Sequence, residues 1–152
     1  MDSKIETILW NIAIPGFGQL LNRKFLKGFL FIDLEFWINV NSHLNQAIIL
    51  SFQGDILGSL RITNFQWLMF YPCVYMFAIW DAYRDAGGGQ SSFSYLPFVL
   101  PAYMGTIGVI YSPKFKIEGS LLGVIWLPMV LALIGVVIGC ILQKCLLSLA
   151  NK

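Results

Sequence analysis

The sequence predicts an all-α protein, a polytopic transmembrane helix bundle with four full spans plus a short N-terminal apolar or re-entrant helix. Two observations support this fold class. Hydrophobic residues make up 57% of the 152 residues and charged residues only 12%, whereas soluble domains carry about 45–50% and about 25%. The stretch from Leu121 to Leu142 contains no charged residue. As a helix it would reach about 33 Å, which is enough to cross a hydrocarbon core of about 30 Å.

Charged residues and turn residues divide the chain into apolar segments, which we assign to a single integral membrane domain covering residues 1-152. The first segment is doubtful as a span because Pro15, Gly16 and Gly18 interrupt it. A short tilted helix, a re-entrant element and an interfacial helix all remain open for it. The other segments are expected to be full spans, with kinks where prolines lie inside them. The segments are about 5-21, 25-50, 65-83, 95-111 and 121-142.

Basic residues predict the orientation in the membrane, because short loops rich in Lys and Arg tend to stay in the cytoplasm. With Arg23, Lys24 and Lys27 on the cytoplasmic side, three further basic residues fall on that side and three fall outside, and Lys4 joins the cytoplasmic set if the first segment does not cross. The further cytoplasmic residues are Arg84, Lys144 and Lys152, and the outer ones are Arg61, Lys114 and Lys116. An even number of crossings then separates this group from Lys152. The expected localisation is therefore the plasma membrane, multi-pass, with a cytoplasmic C-terminus.

Residue clusters that usually carry catalysis do not occur here in a recognisable spacing. The three cysteines lie in apolar segments and form no C-x-x-C pair, which argues against a zinc site and a disulfide framework. The single histidine, His43, has no second imidazole with which to hold a metal. A net charge of +2 does not indicate a nucleic-acid partner. We expect no catalysis, no cofactor and no bound metal.

Polar residues on the second segment form the candidate site. Glu35, Asn39, Ser42 and Gln46 follow a 4-3-4 spacing, which places them on one stripe of a continuous helix, with His43 nearby. Ionisable groups in a membrane segment often mark a substrate or ion path. Hydrogen bonding between helices, or with a partner protein, is the alternative that we favour.

The same segment carries a second acid, Asp33, which points away from Glu35 because the two residues are two positions apart. An unpaired charge inside a membrane segment costs at least about 2.5 kcal/mol. The nearest plausible cation on another helix is Arg84. We therefore predict a structural ion pair between Asp33 and Arg84.

Small residues indicate where helices approach closely. On the last segment, Gly135 and Gly139 form a small-x-x-x-small pair that Ala132 extends by one turn. Packing within the chain is the favoured interpretation, and contact with a second copy is the alternative.

An N-terminal motif resembles a known hairpin. The stretch Pro15-Gly16-Phe17-Gly18-Gln19-Leu20-Leu21-Asn22, followed by Lys27-Gly28, resembles the P-G-x-G-Q-x-x-N…K-G hairpin of small multi-pass membrane proteins of Gram-positive bacteria. Its glycine-rich turn, together with Ile79-Trp80-Asp81, is also similar to the TM2-domain family. The resemblance implies a helical membrane protein, and it supplies no established activity and no catalytic residues.

Together these observations favour a non-catalytic integral membrane protein that acts as an accessory, scaffold or regulatory subunit of a membrane complex. Its expected partners are the lipid bilayer and another membrane protein or a second copy of the chain. The alternative is a small transporter or ion-conducting element that uses the polar stripe. A membrane-embedded enzyme with a novel site has the least support.

Overall fold

The computed structural model describes residues 3–150, and 76% of the chain is helical. An antiparallel pair of two-residue strands precedes the last helix. In chain order the elements are α1 (Ser3–Ala13), α2 (Phe17–Leu21), α3 (Phe25–Ser42), α4 (Leu44–Phe52), α5 (Ile56–Ile62), α6 (Phe65–Leu68), α7 (Tyr71–Asp85), α8 (Leu96–Tyr111), β1 (Lys116–Ile117), β2 (Ser120–Leu121) and α9 (Gly123–Ala150).

The prediction of four full spans is wrong. Within residues 3–150, only α9 is both long and apolar enough to cross a membrane. Helix α8 is apolar but has 16 residues, about 24 Å at 1.5 Å per residue. Helix α7 has 15 residues, and the segment that contains it is broken before Tyr71. The chain is all-helical as predicted, but the predicted division of the chain into four membrane spans is wrong.

The segment predicted over residues 25-50 fails as one helix because the backbone turns at His43. This residue has a left-handed φ of 59°, which ends α3 at Ser42 and lets α4 start at Leu44. Non-glycine residues seldom adopt this conformation, so composition gave no warning of the break.

The finding of one candidate span in residues 3–150 also removes the basis of the topology prediction. That prediction needs an even number of crossings between Lys24 and the C-terminus, and α9 alone supplies one. Lys152, which marks the C-terminus in the prediction, lies outside the described residues.

The N-terminal segment is two helices and not one. Helix α1 ends at Ala13, and Gly16 turns the chain with a φ of 107° before α2 starts at Phe17. A side chain at Gly16 would also meet backbone, because an added Cβ would lie 2.5 Å from the carbonyl oxygen of Gly28. Helix α2 is thereby folded back between α1 and α3, and all three helices pack against α7.

The middle of the chain forms a small apolar core where α4, α6, α8 and α9 meet. Its buried residues are Leu44, Ala47, Leu68, Val109, Val124 and Ile125. Two short helices beside it begin with side-chain caps. Asp55 accepts a hydrogen bond from the backbone N–H of Gly58 at 2.8 Å, and Asn64 accepts one from that of Gln66 at 3.1 Å.

Helices α8 and α9 form the most extensive contact in the described chain. A Cβ added at Gly135 would lie 2.7 Å from the Cα of Pro101, and one added at Gly139 would lie 2.6 Å from the carbonyl oxygen of Leu96. Ala132 continues this face toward Gly105. The glycines of α9 therefore sit directly on the backbone of α8.

Much of the remaining surface is apolar. Leu26 is 87% exposed, and Phe29 on the same helix is 61% exposed. On α9, Leu133 and Val137 are exposed by 65% and 58%. Large contiguous apolar patches on a protein surface indicate contact with a membrane or another protein.

Candidate functional site

Polar side chains of the N-terminal hairpin meet one face of α7 in a buried network. Asn11 and Gln19 are completely buried. The Asn11 Oδ1 accepts hydrogen bonds from the backbone N–H groups of Gly16 at 3.1 Å and Gly18 at 2.8 Å. Its Nδ2 donates to Gln19 Oε1 at 3.1 Å and to the carbonyl of Ala78 at 2.8 Å. One asparagine thus shapes the turn and attaches it to α7.

Gln19 and Asn22 extend this attachment along α7. The Gln19 Nε2 donates to the same Ala78 carbonyl at 2.8 Å and to Asp81 Oδ2 at 3.2 Å. One turn further on, Asn22 Nδ2 donates to the carbonyl of Ala82 at 2.8 Å. The close approach requires small residues on α7, and Ala78 and Ala82 are both fully buried.

A lysine closes the network at the end of α7. Lys27 on α3 donates to Asp81 at 2.7 Å and to Asp85 at 3.0 Å. Its hydrogen bond to Asp81, followed by that to Asp85, raises the pKa of Lys27 against the opposing effect of burial. We call the whole network the polar clasp; its members are Asn11, Gln19, Asn22, Lys27, Asp81 and Asp85.

The bonds of the polar clasp hold the N-terminal hairpin against α7. Its amide groups bond to one another and to backbone groups, and both aspartates accept from Lys27. Buried polar groups that are fully paired rigidify a fold, because any alternative arrangement leaves a donor or acceptor unsatisfied. In residues 3–150 no group of three or more His, Cys, Asp or Glu side chains is placed to hold a metal ion.

Glu35, from the predicted polar stripe, lies outside the polar clasp and against Tyr71 at the start of α7. Tyr71 is its side-chain hydrogen-bond partner, and the carboxyl oxygen Oε2 is buried without a partner. Burial raises the pKa of Glu35, although the bond from Tyr71 opposes the shift. Burial at this site therefore disfavours the charged form of the carboxyl relative to its form in solvent.

The other stripe residues do not continue a path from Glu35. Asn39 exchanges hydrogen bonds with Asn45, which donates its backbone N–H at 3.3 Å and accepts from Asn39 Nδ2 at 3.0 Å. Ser42 is buried at the end of α3, and His43 is the exposed residue of the turn. Gln46 is exposed on α4, a different helix. Glu35, Asn39 and Ser42 thus lie on α3, but Gln46 does not, so the four residues do not form one stripe of a continuous helix.

The predicted ion pair between Asp33 and Arg84 is not formed in the described residues. Asp33 is exposed on α3, and the Arg84 guanidinium lies 5.7 Å from the centroid of the Trp80 ring. Instead, Lys27 of α3 forms the ion pairs with the acidic residues of α7. Sequence reasoning overlooked Lys27 and Gln19 as site residues, although both belong to the hairpin motif and Asp81 belongs to the second motif.

Comparison of the chain with protein-family models, with curated proteins and with solved structures finds no match.

Proposed function

We propose that the chain is a membrane-anchored, non-catalytic protein that acts as an accessory, scaffold or regulatory subunit. The observation that carries this proposal is that polar side chains are used inside the protein, whereas apolar side chains cover much of its outer surface. The buried polar side chains of the polar clasp are used in internal bonds, and the outer faces of several helices are apolar. Such a surface favours binding to lipid and to other apolar partners.

Helix α9 is the proposed anchor. It has 28 residues, about 42 Å at 1.5 Å per residue, which exceeds the roughly 30 Å of a hydrocarbon core. Its glycine face is taken by α8. Contact with a second copy or a partner would therefore use the opposite face, which exposes Leu133, Val137 and Ile141.

Cysteine labelling tests the anchor. In a background without Cys73, Cys140 and Cys145, single cysteines at Lys24 and Lys144 should lie on opposite sides of the membrane. A membrane-impermeant thiol reagent applied to intact cells should label one of the two and not the other. Labelling of both, or of neither while both react after lysis, would contradict a single crossing between them.

Quantitative proteomics of a deletion strain tests the accessory role. Loss of an accessory or scaffold subunit should lower the abundance of particular membrane proteins, because unassembled subunits are degraded. Expression of the wild-type chain should restore them, and expression of Asn11→Leu should not. An unchanged membrane proteome would argue against the role.

A small transporter or ion-conducting element is the second candidate, and Glu35 is the observation that favours it. A carboxyl oxygen buried without a partner is an unusual feature that often has a functional reason. Purified protein in liposomes should then conduct ions or protons, and Glu35→Gln should abolish the flux while Asp33→Asn leaves it intact. Absence of flux from the wild-type protein would leave the accessory role as the better account.

A further inference from the structure

An open apolar groove of about 590 Å³ runs between α7 and α8. From Cys73 to Trp80 it follows α7 for about 11 Å. The opposite wall includes Phe98, Ala102 and Thr106 of α8. The aromatic rings of Trp80 and Phe98, with centroids 5.2 Å apart, line one end of the groove.

Thr106 and Cys73 line the other end of the groove, and their polar groups already have partners within the protein. Thr106 donates its hydroxyl to the carbonyl of Ala102 at 2.9 Å. The sulfur of Cys73 lies 3.6 Å from the same hydroxyl. The lining surface of the groove is almost entirely apolar. An occupant therefore gains mainly from apolar contact, which matches a hydrocarbon chain.

A cation lies at the aromatic end of the groove. The guanidinium of Arg84 sits over the ring of Trp80, and Arg84 is exposed. Among residues 3–150 it forms no ion pair, and the acidic residues of the same helix, Asp81 and Asp85, both pair with Lys27. The groove thus combines an apolar trough with a positive charge at one end, an arrangement complementary to an anionic amphiphile.

We propose that this groove binds an anionic phospholipid, with an acyl chain between α7 and α8 and the headgroup phosphate on Arg84. Arginine suits this role because its planar guanidinium donates two parallel hydrogen bonds to a phosphate. The proposal rests on the proposed membrane association, since a phospholipid reaches the groove only there.

Native mass spectrometry of the full chain in detergent tests the lipid preference. Phosphatidylglycerol and phosphatidylcholine with identical acyl chains are added in competition, so that only the headgroup differs. The wild-type chain should retain phosphatidylglycerol preferentially. Arg84→Gln should reduce that preference about fivefold, which corresponds to the roughly 1 kcal/mol that a basic residue contributes to anionic-lipid attraction. Arg61→Gln on α5, a matched control away from the groove, should leave it unchanged.

The acyl-chain position needs its own variant. Ala102→Trp should fill the groove and reduce retention of both lipids. Because a large side chain at a helix contact can also disturb folding, quenching of tryptophan fluorescence by lipids brominated in the acyl chain provides a second measurement. In a variant that keeps Trp80 and has Phe at the other four tryptophan positions, one brominated lipid per protein should strongly quench the tryptophan fluorescence. In a variant that keeps only Trp126, the same lipid should quench the fluorescence weakly.

The outcomes separate this proposal from the anchor itself. Resistance of the wild-type protein to alkaline extraction from membranes reports on membrane association. If the protein resists extraction but binds both lipids equally, or if Arg84→Gln and Arg61→Gln behave alike, the lipid site is wrong and the anchor stands. If the protein is extracted into the soluble fraction, both proposals fail.

Discussion

The N-terminal half and the C-terminal helix pair of this protein are held together by different interactions. In the N-terminal half, α1, α2 and α3 attach to α7 through the polar clasp, whose buried members Asn11 and Gln19 bond to backbone groups of other elements. In the C-terminal pair, α8 and α9 meet through glycines that touch backbone directly. Hydrogen bonds fix orientation in the first region, and close packing fixes distance in the second.

The difference matters because much of the outer surface is apolar. In the lipid that the proposed membrane association would place against this surface, the hydrophobic effect cannot decide which helices meet, since lipid is as apolar as a neighbouring helix. Directional bonds and close backbone contacts can decide it. The N-terminal half combines directional bonds with close contacts such as that of Gly16 with Gly28, whereas the α8–α9 pair depends on close contacts of its glycines. Because the two sets of contacts involve different residues, substitutions should affect the regions separately.

The largest expected effect is that of Asn11→Leu. It leaves the N–H groups of Gly16 and Gly18 buried without an acceptor, and each unpaired group costs about 1–3 kcal/mol. We expect the free energy of unfolding in detergent to fall by about 3–5 kcal/mol. Asn45→Leu, at an exposed position, is the control. If the two leucine variants lose equal stability, the polar clasp is not what holds the N-terminal half.

The next effect is that of Gly135→Leu in the C-terminal pair. An added Cβ would lie 2.7 Å from the Cα of Pro101, and backbone cannot move aside as a flexible side chain can. Thermal unfolding should show a loss of about 2–3 kcal/mol. Val137→Leu, which changes the exposed face of the same helix turn, should lose little. Equal melting temperatures for these two variants would remove the argument for a close α8–α9 contact.

Lys27→Met tests the exposed end of the polar clasp. The Lys27 side chain is 44% exposed, so solvent screens its ion pairs, and we expect a loss of only about 1 kcal/mol. The loss should shrink as salt concentration rises, because added ions screen partly exposed pairs. Lys24→Met removes an exposed charge without an ion pair to α7. A larger loss for Lys24→Met than for Lys27→Met would contradict the assignment.

The smallest effect is pH-dependent and involves Glu35. Burial raises the pKa of this carboxyl in the folded protein, so the folded state binds more protons than the unfolded state as pH rises above about 4.5. Stability should therefore fall through this window and stay lower above it. Glu35→Gln should melt higher than the wild-type protein at pH 8, with a smaller difference at pH 4.5. Asp33→Asn controls for net charge, and a pH-independent effect of Glu35→Gln would contradict the burial of Glu35.

Sequence alone indicates the helical class, because few charges and long apolar segments leave little choice of structure. It does not indicate the break at His43, where no glycine or proline is present. The break before Tyr71 does have a sequence signal, because Pro72 lies in the first turn of α7, where proline commonly starts a helix. The partners of Asn11 and Gln19 include the backbone carbonyl of Ala78, and a carbonyl has no sequence signature. The sequence predicts a pair of Asp33 with Arg84 because both lie near the same end of their helices, and only the fold reveals that Lys27 of α3 pairs with the aspartates of α7.

Hydrogen–deuterium exchange on the full chain in detergent tests most directly whether the two regions are held independently. Asn11→Leu should increase exchange in residues 3–28 and 71–86 and leave residues 123–142 as in the wild-type protein. Gly135→Leu should do the reverse, increasing exchange in residues 96–111 and 123–142 alone. If either variant increases exchange equally in both regions, the polar clasp and the glycine contact do not act separately, and the account is wrong.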